Sequence, residues 1–237
     1  MKIKKKWLVV LGLVGILGHM VGIAADLFSG FVPTLEVELG VITSLSLESI
    51  APLFVAKSLA EARIGHYLAV LFIPLGIAGI IQIFFMLKPQ RNPGAYAFLG
   101  LGSLGVMYGT FYHGTLAFVI AALQAEPSLL PLGGQGTILL LEYVNSLSEP
   151  FSGLLLGADI LVSVVFIWIV MAGRTAFAKW MAAFNPLSIQ LVLNGMLLLA
   201  PAPFDQIVWL TVFNSSLAIW FMGTTISIRR SEKSSAS

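Results

Sequence analysis

The sequence predicts an all-α integral membrane bundle of six transmembrane helices, and three observations carry that prediction. Hydrophobic residues make up 58% of the chain, charged residues only 10%, and mean hydropathy is +0.95. Soluble domains carry roughly 25% charged residues, so a water-soluble globule is excluded. Six stretches approach the about 20 apolar residues that cross the hydrocarbon layer. The basic residues, finally, fall on alternate connecting segments. The chain has no cysteine, which removes disulfides, thiol nucleophiles and thiolate metal sites together.

The whole chain, 1–237, reads as one transmembrane domain. The first span, 7–31, follows Lys2, Lys4, Lys5 and Lys6. Its basic start, apolar run and Ile23-Ala24-Ala25 also have the form of a secretory signal peptide, but the run is longer than a signal core and reads as a retained span. Spans 66–87 and 95–123 are joined through Lys88 and Arg91, and the fourth span is 151–173. The fifth, 187–203, is the shortest; Pro201, Pro203 and Asp205 separate it from the sixth, 206–228, in a hairpin turn. Between spans four and five, 174–184 with Trp180 reads as an interfacial helix before Asn185-Pro186 restarts the chain.

With the amino terminus inside, eleven of the 13 basic residues lie on inner segments, leaving only Lys57 and Arg63 outside. That excess predicts cytoplasmic N- and C-termini and an inner-membrane location. It also explains the basic pI near 8.9 without nucleic acid, because the cations are spread over four segments and not gathered on one face. Two outer loops remain. In 32–65, residues 44–62 suggest a helix lying on the membrane. In 124–150, Gly133-Gly134-Gln135-Gly136 precedes a short segment over 138–147 with Glu142 and Asn145.

Lipid offers polar groups no partner, so intramembrane ionisable residues face the bundle interior and mark function. In the first span Gly12, Gly15, His19, Gly22 and Asp26 recur at spacings of three and four, one helix face. Gly18-x-x-x-Gly22 adds a close-contact motif. In the third span Gly102, Gly105 and Gly109 lead to Tyr112 and His113; in the fourth Ser152, Asp159 and Ser163 share a face. Asn194, Thr211, Asn214 and Ser215 follow in the last two spans.

At about 1.5 Å of rise per residue, His19, His113, Asp159, Asn194 and Asn214 fall within roughly 8 Å of the midplane, mostly displaced outward. Asp26, His66, Glu149 and Asp205 lie nearer the outer surface. The expectation is a polar pocket in the outer half, with His19, His113 and Asp159 at its centre and Asp26 and His66 near its mouth. Its ligand-binding set is His19, Asp26, His66, Tyr112, His113, Asp159, Asn194 and Asn214. The plainer alternative is that Asn, Ser and Thr merely bridge helices, at about 0.6 kcal/mol each. Asp159 resists it, since a central carboxylate costs several kcal/mol unless protonated or paired, with His19 or His113 as the available partners.

Several chemistries stay open. His19, His113 and Asp159 or Asp26 form a two-His, one-carboxylate set, although no HExxH supports a metal site and no metal is assigned; two His on separate helices could also ligate a haem. A buried Asp beside a His suits acid–base work on a lipid or isoprenoid, with His19, His113 and Asp159 as the catalytic candidates. Proton-coupled transport uses the same parts, although no internal repeat and no broken central helix marks a transporter. An accessory subunit of a membrane complex would use the glycine seams for assembly. No nucleophile elbow, P-loop or dinucleotide fingerprint occurs in a supporting context, and the cofactor is left unknown. The partners are membrane lipids and a small lipophilic ligand, with a second copy of the chain or a partner subunit left open.

Three stretches carry a resemblance: Gly65-His66-Tyr67-Leu68-Ala69-Val70-Leu71-Phe72-Ile73-Pro74-Leu75, Phe111-Tyr112-His113-Gly114-Thr115, and Trp180-Met181-Ala182-Ala183-Phe184-Asn185-Pro186-Leu187. Together the chain resembles a bacterial family of multi-pass membrane proteins catalogued as a domain of unknown function. The resemblance covers most of the chain and implies a six- or seven-helix bundle with no assigned activity. It draws His66 and His113 into the matching stretches without giving them a role. A seventh helix would have to be 44–62, where Glu48, Lys57 and Glu61 argue against a span.

Overall fold

A computed structural model describes residues 3–32, 56–129, 135–173 and 175–233, and every regular element among them is helical. The expected surface helix falls mostly, and Gly133-Gly134 wholly, outside the described residues. Helix α1 (Lys5–Gly30) has 26 residues, about 39 Å of rise, and buries Gly12, Gly15, Gly18, His19, Gly22 and Asp26. The stripe of small residues therefore does face neighbouring helices. Its members do not share one partner, however. A Cβ on Gly15 would stand 2.8 Å from the backbone of Gly79, one on Gly18 2.7 Å from the Phe72 carbonyl, and one on Gly22 2.7 Å from Asn214 Cγ.

Helix α2 (Leu59–Phe72) opens on a capping box: Ser58 Oγ accepts from the Glu61 backbone at 3.2 Å, and Glu61 Oε2 accepts from the Ser58 backbone at 3.2 Å. Pro74 has no N–H, and a 3-10 turn, Ile73–Leu75, interrupts the helix there before α3 (Gly76–Met86) continues it. The second span thus begins at Leu59, not at residue 66, and it is broken midway, contrary to the unbroken helix expected from the sequence.

Helices α4 (Gly94–Leu129) and α5 (Gln135–Met171) have 36 and 37 residues, so most of the expected loop 124–150 is helix. Pro150 removes one hydrogen bond from α5 without ending it. The apolar parts are Gly94–Ala121 and Gly153–Met171. Gly173, at φ +75°, takes the left-handed conformation that follows a helix end.

The expected interfacial helix is a 3-10 turn, Lys179–Ala183, and the expected fifth span is α6 (Pro186–Leu197), only 12 residues or about 18 Å long. Asn185 starts it by accepting from the Ser188 backbone at 3.1 Å. After the turn at 198–203, α7 (Phe204–Lys233) runs 30 residues antiparallel to α1. Among the described residues, five helices or bent helices are long and apolar enough to cross a membrane, and α6 is not one of them.

Helix α7 packs along α1 and against α6, α1 packs on the bent α2–α3 unit, and α4 pairs with α5. The α4–α5 pair meets α7 mainly through side chains. Toward the end that carries Lys5 and Ile228, an aromatic core fills this seam. Trp220 stands edge-on to Phe166 at 5.2 Å and to Phe98 at 5.9 Å, and Phe177 closes on Phe166 at 5.5 Å.

Candidate functional site

At the other end the same seam holds a cavity of about 100 Å³, partly enclosed and mostly apolar. Its polar wall comes from α1 (His19, Asp26, Ser29), α4 (Tyr112, His113) and α7 (Asn214); Leu155, Trp209, Phe213 and Leu217 supply much of the rest. Gly105 and Gly109, the glycines on the His113 face of α4, also line it. Without side chains there, α4 leaves open the space that α5 and α7 do not fill.

Asp26 is the hub of the polar wall. His113 Nε2 donates to Asp26 Oδ1 at 3.1 Å, and Asn214 Nδ2 donates to Asp26 Oδ2 at 2.9 Å. Asn214 Oδ1 then faces His19 Nδ1 at 2.8 Å. A carboxylate only accepts, so Asn214 must turn its amide nitrogen toward Asp26; its oxygen must accept, so His19 donates from Nδ1. That leaves His19 Nε2 as a bare lone pair. It has no hydrogen-bond partner, although His19 is only 1% exposed. Gly76, at the break in the second span, provides its room: a Cβ there would overlap the imidazole edge, 3.2 Å from Cδ2. The Phe221 ring lies 5.5 Å from the His19 ring.

The eight residues expected to bind ligand therefore divide. His19, Asp26, Tyr112, His113 and Asn214 line one cavity, as the helix-face spacing suggested. His66 stands outside the lining, with Nδ1 3.4 Å from the His113 carbonyl oxygen. Asp159 does not pair with either histidine. Its Oδ2 accepts from Gln190 Nε2 at 2.7 Å, and the same nitrogen reaches Ser216 Oγ at 3.3 Å. Asn194 donates back to the Gln190 carbonyl at 2.7 Å and lies off the cavity, its Oδ1 buried without a partner. Equal depth in separate helices did not bring these side chains together: α6, packed on α7 and α5, gives Asp159 a partner of its own in Gln190.

The His19, His113, Asp159 set consequently does not converge on a point, and among the described residues no group of three His, Asp or Glu could hold a metal ion. Ser163, expected on the Asp159 face, accepts from the Leu187 backbone at 3.2 Å and ties α6 to α5.

Sequence reading passed over Gln190, and Gln82, which donates to Thr225 Oγ1 at 2.8 Å across Gly12. The signal was available: both are amides inside apolar runs. Trp209 and Phe213 had no such signal, since aromatic residues in a span ordinarily face lipid or core.

Residues 1–231 match the model of a family of unknown function, DUF6796, and the chain belongs to that family. No curated protein and no solved structure matches it.

Proposed function

Taking an apolar helical bundle with one filled and one hollow half as the premise, we propose that this chain is a six-crossing inner-membrane protein whose cavity binds a small lipophilic molecule. The antiparallel pairing of α1 with α7 supports the crossing count: α5 ends beside α3, where the Ala176 backbone donates to the Met86 carbonyl at 2.9 Å, yet α7 starts at the opposite end. Segment 174–203, with the short α6 inside it, supplies the return. The basic residues, eleven of 13 on the termini-bearing side, support cytoplasmic ends. The observation that carries the binding role is the relay His19–Asn214–Asp26–His113, which joins three helices and opens on an apolar cavity instead of closing on itself.

The ligand sits with its apolar body against Leu155, Trp209, Phe213 and Leu217 and its polar end toward Asp26. Native mass spectrometry of the full chain tests this. Wild type retains a lipophilic adduct, and Leu155→Trp, which fills the cavity, loses it; equal adducts on both proteins overturn the reading. The absence of cysteine makes topology directly testable. Ser58→Cys is labelled by an impermeant maleimide in whole cells and Ser231→Cys only after lysis; the reverse pattern inverts the assigned orientation.

A further inference from the structure

Asp26 contributes a carboxylate to the cavity wall. A second acidic side chain stands behind the α4 wall, Asp159, whose Oδ1 is 3.8 Å from the point where a Cβ on Gly105 would lie. The neutral amide of Gln190 holds the other Asp159 oxygen. His113 Nε2 donates to Asp26 Oδ1 at 3.1 Å. No lysine or arginine lines the cavity among the described residues. A buried carboxylate such as Asp26 in so poor a dielectric calls for a positive charge nearby. Tyr112, Trp209 and Phe213 add aromatic surface to the same lining, the kind that attracts organic cations.

We infer that the ligand is a lipophilic organic cation, a tertiary or quaternary ammonium whose head group lies against Asp26 and the aromatic wall. This rests on reading the cavity as a binding site. The cavity, about 100 Å³ and partly open, is smaller than the about 150 Å³ that encloses benzene, so it takes a small ammonium head only with the apolar remainder extending out.

The test compares benzyltrimethylammonium with neopentylbenzene, its uncharged carbon isostere, by equilibrium dialysis against the full chain in micelles, with partition into empty micelles subtracted. The cation binds about tenfold more tightly than the isostere, and Asp26→Asn lowers that preference to about threefold or less. Phe213→Leu, which removes aromatic surface and keeps apolar bulk, reduces the preference by a smaller factor and serves if Asp26→Asn does not fold. Equal binding of the two probes to wild type, or a preference unchanged in the variants, overturns the inference and leaves the cavity reading standing. Binding of neither probe overturns both.

Discussion

Between the α4–α5 pair and α7, the termini-bearing half of the molecule sets Phe98, Phe166 and Trp220 ring against ring, each fully buried. The other half of that seam is a cavity walled by glycines on α4 and by a hydrogen-bonded His/Asn/Asp relay. The contrast matters because lipid is as apolar as a leucine side chain, so helix association there rests on packing and hydrogen bonds, not on burial of apolar area. A hollow seam forfeits packing outright. It persists here beside a polar network that crosses three helices, and the relay supplies part of the cohesion the missing contacts do not.

Substitutions sharpen that comparison. The largest effect is expected at the glycine contact between α1 and α3: Gly15→Leu forces the helices apart, costs more than about 4 kcal/mol and abolishes a monodisperse peak in gel filtration. Gly109→Ala, whose Cβ would meet only Leu155 at 3.8 Å, leaves that peak unchanged. If both behave alike, the two halves are not packed differently.

Next comes the tryptophan pair. Trp220→Ala in the aromatic core lowers stability by about 2–4 kcal/mol in unfolding from mixed micelles, and Trp209→Ala on the cavity wall by less than about 1.5 kcal/mol. Asn214→Leu strips the relay of its centre and leaves His19 and Asp26 each short of a partner, for about 2–3 kcal/mol in the same assay. A cost near the about 0.6 kcal/mol of an average intramembrane hydrogen bond would make the relay ordinary bridging. The smallest effect is at Leu155. Leu155→Phe occupies free space and changes stability by less than about 1 kcal/mol, in either direction, whereas Ile80→Phe, at a site already closed against Gly102, costs about 1–3 kcal/mol.

The five long spans and the seam on α1 were legible because their causes are local. Apolar run length is written in consecutive residues, and a face repeats every three or four positions, so Gly12, Gly15, His19, Gly22 and Asp26 could be placed together without any partner in view. The ends of the elements were less legible. Residues 124–150 are polar enough to read as loop, yet 124–129 and 135–150 are helix, since polarity tests lipid exposure and not helicity. The fifth stretch was hard to read for the opposite reason: its apolar run continues to Pro203, but the helix stops at Leu197.

Composition and periodicity alone determined that this is a helical membrane chain, where its basic residues fall and which polar side chains turn inward, because each depends on neighbours within a turn or two. Which of those side chains meet was decided only by the tertiary structure. His19 and Asn214 are 195 residues apart and share a hydrogen bond, whereas Asp159, at similar depth, pairs with Gln190 on the short helix. Depth follows from counting residues along one helix. The partner across a seam follows from how whole helices are arranged around one another, and a glycine on one helix admits a neighbour that its own sequence does not name.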